Sequence, residues 1–211
     1  MGGSLGVARR GPLHPVGDVA DLASRRARLG RGELTSYVGM VVFLGSWAMM
    51  FAALFFSYAL VRSRAPVWPP LDLPLPPRLL PAVNTAIIAG SSAAVVGALR
   101  AATMGRRVRL ARALAAATAL GTAFLALQAV VWAGLWREGL RVDGGPYPSV
   151  FYALTALHAL HVAVGVVALA VLAARALRAP GPSRIAVRLW GMYWHFVGIV
   201  WGVLYATVYL L

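Results

Sequence analysis

Residues 193–211 read YWHFVGIVWGVLYATVYLL. The stretch holds no carboxylate, arginine or cysteine, and its one imidazole, His195, stands near the start. At 1.5 Å per residue these residues make a helix of roughly 28 Å, close to the thickness of a bilayer's hydrocarbon core. Backbone polar groups in lipid must be satisfied within the segment, so such a run reads as a transmembrane helix. Four comparable apolar runs precede it. The chain therefore reads as all-α: a polytopic membrane bundle with five transmembrane helices, at about 36–61, 81–99, 113–136, 149–174 and 189–211.

Composition agrees. Of 211 residues, 60% are hydrophobic and only 12% charged, far from the balance of a soluble domain. The 7 Trp suit membrane interfaces and the 22 Gly suit close helix approach. With no Cys, disulfides, thiolate metal sites, Fe–S clusters and covalent c-type haem are excluded. Any redox ligand must come from Met, Tyr or the four histidines His14, His158, His161 and His195. The formal charge of +14 comes from arginine alone, since there is no Lys. The arginines stand in short loops beside apolar runs, which argues for membrane retention and against a nucleic-acid partner.

The distribution of arginine sets an expected topology. Six lie in the N-terminal segment, three in 62–80, five in 100–112, two in 137–148 and four in 175–188. Alternate sides of the membrane thus hold fifteen and five. The positive-inside rule puts the N-terminus in the cytoplasm and the C-terminus outside, as five spans require. Residues 1–33 read as a basic, flexible cytoplasmic tail without a cleavable signal, with a short interfacial helix around VADLASRRARL (19–29). Residues 34–211 form the membrane domain. The first external loop, APVWPPLDLPLPPRLLP (65–81), has seven prolines and is expected to be an extended crossover, because each Pro removes an amide donor.

None of the six acids, Asp18, Asp21, Glu33, Asp72, Glu138 and Asp143, falls inside an expected span. Intramembrane carboxylates are the usual proton carriers of pumps and transporters, so proton transport by this chain alone is not expected. Nor is there a phosphate loop, a catalytic triad pattern or a zinc-binding histidine pair. The polar residues within the spans are Ser46, Asn84, Thr85, Ser91, Ser92, Gln128, Thr155, His158, His161 and His195. At helical spacing among small residues they read as hydrogen-bonded helix packing, worth about 0.6–2 kcal/mol each. His158 and His161 share a face of the fourth span. With His195 they suggest a membrane b-type cytochrome as a reading of another class. His195, however, lies near the cytoplasmic start of its span and the other two lie toward the external half, a depth mismatch of roughly 8–15 Å.

Five segments carry a family resemblance. FYALTALHALHVAVGVVAL (151–169) resembles the LTxxHxxHVxxG helix of subunit III of haem-copper oxidases, and WHFVGIVWGVLYATVYLL (194–211) resembles that family's closing WHFVDVVW helix. GMVVFLGSWAMMFAALFFSYALVR (39–62) is similar to its FLxSExxFF…Y helix, LPAVNTAIIAGSSAAV (80–95) to P…NT…LLxSS, and FLALQAVVWAGL (124–135) to FLxxQxxEW. The order matches, and the likeness runs from about Tyr37 to Leu211. Three family carboxylates are replaced: by Trp47, Val131 and Gly198. The five-span bacterial form is the one resembled, for cytochrome c or quinol oxidases.

That resemblance implies an accessory, non-catalytic subunit in a bacterial inner membrane. It holds no cofactor or metal itself, while haem and copper sit in partner subunits. It implies packing on subunit I, with subunit II nearby and a respiratory supercomplex as a wider setting. Ser46, Trp47, Asn84, Gln128, His158, His161, Trp194 and His195 become structural or interface residues. Arg106, Arg107, Arg109, Arg184 and Arg188 become candidates for phospholipid headgroups. A related accessory subunit of nitric oxide reductase, or of another respiratory complex, is the alternative.

Overall fold

The computed structural model describes residues 15–210 apart from 69, 71, 72 and 75, with side chains from residue 32 onward. Two compact units divide the chain, Met1–Gly39 and Met40–Leu211. Five helices follow one another: α1 (Pro15–Arg64), α2 (Leu79–Thr103), α3 (Arg107–Arg137), α4 (Pro146–Ala176) and α5 (Arg184–Leu204). A π-helical segment, Tyr205–Leu210, continues α5. Each is long and apolar enough to cross a membrane, α1 from Gly32 onward, and no strand occurs among the described residues. The expected all-α bundle of five spans is what the chain forms.

The helices outrun the expected spans at most ends. Apolar residues mark where lipid begins, but a helix continues through its interfacial arginine turn, as α3 does from Arg107. In the first unit, the helical backbone already begins at Pro15, and the interfacial helix expected at 19–29 falls within it. Residues 1–14, and the tail's side chains up to Arg31, lie outside the described residues.

Glycine ends two helices by the same device. After α2, Arg106 N–H donates to Ala101 O at 3.0 Å and Gly105 N–H to Ala102 O at 3.3 Å. After α3, Leu140 N–H donates to Leu135 O at 2.9 Å and Gly139 N–H to Trp136 O at 3.3 Å. Both are Schellman closures, and they require positive φ at Gly105 (68°) and Gly139 (97°), where a side chain would be strained. Leu140 is buried just past the second closure, the apolar contact that commonly completes this motif.

Within Met40–Leu211, α2 packs on α3, α3 on α4, α4 on α5 and α5 back on α2, closing a ring of four helices. Its core is filled by Phe124, Phe151, Trp194, Trp201 and surrounding aliphatics. From residue 40 on, α1 lies outside this ring and reaches it through large side chains spaced along one stripe. Phe43 stacks on Tyr193, Trp47 meets His161, and Phe51 meets His158 and His161. Between α1 and α2 the described residues form no regular helix. Trp68 pins that connection edge-on between Tyr58 of α1 and Tyr147 of α4, at ring-centroid separations of 5.4 and 4.9 Å.

Candidate functional site

The interior is built around α4. His158 is 1% exposed, and its ring is boxed by Phe51 at 6.3 Å, Phe124 at 5.9 Å and Trp201 at 5.4 Å. Neither of its ring nitrogens meets a hydrogen-bond partner among the described residues. One turn on, His161 Nδ1 lies 2.6 Å from Leu157 O. A carbonyl oxygen only accepts, so Nδ1 carries a proton and donates it to this bond. Nε2 is buried without a hydrogen-bond partner among the described residues. The Trp47 indole meets the same imidazole at 3.9 Å between centroids, nearly perpendicular to it. Trp47, the position at which the family resemblance leads one to expect a glutamate, sets an indole beside this imidazole.

Trp194 is the centre of the α3–α4–α5 contact and is fully buried. Its ring is so close to Gly121 of α3 and Gly165 of α4 that a Cβ there would sit 2.6 and 2.7 Å from ring carbons. Only glycine on both helices admits the indole. Beside it, the Tyr193 hydroxyl donates to His161 O at 3.0 Å, tying α5 to α4.

A second cluster lies toward the other end of α5. Asn84 Nδ2 donates to Gln128 Oε1 at 3.5 Å, and Gln128 Nε2 donates to the Tyr209 hydroxyl at 3.4 Å, joining α2, α3 and the π-helical end. All three residues are buried. Nearby, Trp201 Nε1 donates to Thr85 Oγ1 at 3.0 Å, and Trp132 Nε1 to Thr155 Oγ1 at 3.2 Å. Ser91 Oγ donates across to Ala117 O at 3.0 Å. In a low-dielectric interior such bonds fix helix register more than they add net stability.

The residues singled out from sequence divide as follows. Asn84, Gln128, His158, His161 and Trp194 come together in the interior, with Trp47 against its edge. Ser46 does not: it is exposed on α1, its hydroxyl donating to Val42 O at 3.0 Å. His195 is half-buried and makes no hydrogen bond or ring contact among the described residues. Val131 is buried and apolar-packed, and Gly198 faces α2, where a Cβ would lie 3.4 Å from Ser92 Oγ. The arginines 106, 107, 109, 184 and 188 are all exposed at helix starts. Tyr209 and Tyr193 were not singled out from sequence. Their spacing carries no sign of a partner, because each bonds to a group far away in the chain.

A haem does not fit these histidines. The aromatic rings around His158 fill the space a porphyrin would need, and His161 commits Nδ1 to backbone and faces Trp47. Among the described residues, no three His, Asp or Glu side chains converge on a metal-sized site.

Five apolar helices closed around ring packing and buried amide–hydroxyl bonds define a polytopic membrane subunit. The cytochrome c oxidase subunit III family matches residues 32–211. "Cytochrome c oxidase subunit 3" of Synechocystis sp. is 36% identical over 177 residues, covering 82% of this chain and 74% of its own. "Probable cytochrome c oxidase subunit 3" of Nocardia farcinica is 34% identical over 192 residues, covering 89% and 93%. "Cytochrome c oxidase subunit 3" of Tachyglossus aculeatus aculeatus is 32% identical over 180 residues, covering 81% and 67%. The chain belongs to the cytochrome c oxidase subunit III family.

Proposed function

We propose that the chain is the accessory subunit III of a bacterial respiratory haem-copper oxidase, in the cytoplasmic membrane. Electrons reach O2 through haem and copper held by partner subunits, and this chain packs against subunit I with subunit II in the same complex. The observation that carries the reading is the family match across all five helices, from residue 32 to 211. The interior supports it, since Asn84, Gln128 and Tyr209 join helices by hydrogen bonds and His158 and His161 lie against aromatic rings. In this role the chain holds no redox centre and performs no chemistry of its own. Its arginines favour an N-terminus in the cytoplasm and a C-terminus outside, with residues 1–33 as a basic cytoplasmic tail.

The test is purification in mild detergent through a tag on the N-terminal segment, followed by mass spectrometry of the partners and a reduced-minus-oxidised spectrum. Haem and copper with an oxidase subunit I support the proposal. A haem b signature with a nitric oxide reductase core would move the chain to that complex. Haem absorbance that stays with this polypeptide after its partners are stripped would overturn the reading of the histidines.

A further inference from the structure

Hydroxyls inside the spans are mostly spent on carbonyls. Ser46, Ser57, Thr118 and Thr122 each donate to the preceding turn of their own helix, and Ser91 donates across to α3. Ser92 does neither: it meets no hydrogen-bond partner among the described residues, and His195 of α5 shares that state. Both are half-buried rather than enclosed. The two stand together on one rim of the bundle. A Cβ on Gly198 would lie 3.4 Å from Ser92 Oγ, and His195 occupies the turn of α5 just before Gly198. Their depths agree, with Ser92 about 12 Å along α2 before Arg100 and His195 about 10 Å along α5 beyond Arg188. The rim continues from His195 through Ile199, which is 68% exposed, to Gly202, where an added Cβ would meet nothing within 4 Å.

At this depth the surroundings of a membrane span are hydrocarbon. Acyl chains offer an imidazole neither donor nor acceptor, and a histidine side chain is too short to reach the interface from there. Ionisable groups inside spans therefore face a bundle interior or pair with another group. His195 finds no carboxylate on its own helix, since α5 carries none. We propose that the α2–α5 rim docks a transmembrane helix of a partner subunit, and that this helix brings a hydroxyl, amide or carboxyl side chain to His195 and Ser92. A single polar residue on such a helix answers both groups, and the open side of Gly202 lets the helix come close. The inference rests on the chain being a subunit of a membrane complex, and adds which face meets the partner and what chemistry marks it.

The experiment places the photo-crosslinker benzoylphenylalanine at Ile199 in the full complex, illuminates native membranes, and identifies what is joined to the chain by mass spectrometry. A cross-link to a partner polypeptide is expected. Cross-links to phospholipid alone, to a second copy of the chain, or to nothing overturn the inference. A second measurement follows loss of the chain from the detergent-purified complex over time. One hydrogen bond between helices corresponds to about a threefold to thirtyfold change in dissociation, so His195→Phe is expected to leave faster by that factor. His195→Gln keeps a donor and an acceptor and is expected to stay close to wild type. Loss no faster in His195→Phe than in His195→Gln overturns the part given to His195. If His195→Phe does not fold, the cross-link from the otherwise native chain decides. A chain that purifies without any partner refutes the reading as a subunit of a complex, whereas one that keeps its partners but gives no cross-link to them refutes this inference alone.

Discussion

A methyl group built on Gly121 would lie 2.6 Å from the Trp194 ring, and one on Gly165 2.7 Å from it. Neither ring nor helix has room to yield, because the indole is enclosed by three helices. Gly121→Ala or Gly165→Ala is therefore expected to destabilise the bundle by about 1–3 kcal/mol, the usual penalty of overpacking. Gly198 makes the contrast. Its missing Cβ would meet Ser92 Oγ at 3.4 Å, so Gly198→Ala is expected to be nearly neutral. Thermal melting of the purified complex, followed by loss of the subunit, checks both. Equal melting of Gly121→Ala and Gly198→Ala would mean Trp194 is not clamped as described. The sequence pointed to Trp194 as a packing residue, but not to its two glycines. Gly121 and Gly165 look like any other membrane glycines until the indole is seen between them. Trp47 is similar: the family resemblance marked it as a replaced acid position, and only the fold shows the indole lying against the imidazole of His161.

The helices were legible as elements because twenty or so apolar residues between arginine turns leave few alternatives in lipid. The attachment of α1 was not. Its expected span looked like the others, yet only 6% of its most apolar stretch is buried, against 28–44% for the rest. Phe43, Trp47, Phe51 and Tyr58 project from one stripe, and these long rings hold the helix away from the backbone of α4 and α5. Nor did the sequence show the π-helical end, which sets where Tyr209 falls on Gln128. Helical periodicity at 3.6 residues carries no mark of such a widening. A test follows from the stripe. Trp47→Ala with Phe51→Ala removes the rings that meet His158 and His161, a loss of about 3 kcal/mol or more by analogy with buried aromatic truncations. Hydrogen exchange is expected to rise in α1 while α2 to α5 keep their protection. Uniform loosening of all five helices would show instead that α1 is integral to the ring.

At the scale of the whole molecule, the described acids stay outside the bundle. Glu33, Glu138 and Asp143 are exposed, and no described carboxylate lies in the interior of the bundle. The three positions at which the family resemblance leads one to expect acids, Trp47, Val131 and Gly198, hold an indole against an imidazole, a buried valine and a glycine facing α2. Of the described imidazoles, His158 is sealed among Phe51, Phe124 and Trp201 with no hydrogen-bonded neighbour among the described residues to pass a proton on. The expectation that follows is a division of labour, in which a catalytic partner would take up its protons without a route through this chain. As a hypothesis, removing the subunit should leave the number of protons translocated per electron unchanged, even where it lowers the stability or turnover lifetime of the remaining complex. Proton-to-electron ratios measured in vesicles, with and without the subunit and normalised to intact haem content, decide the matter. A large drop in the ratio at full haem content would mean that protons do depend on this bundle, and the hydrogen-bonded Asn84–Gln128–Tyr209 cluster would then be the first place to look for their path.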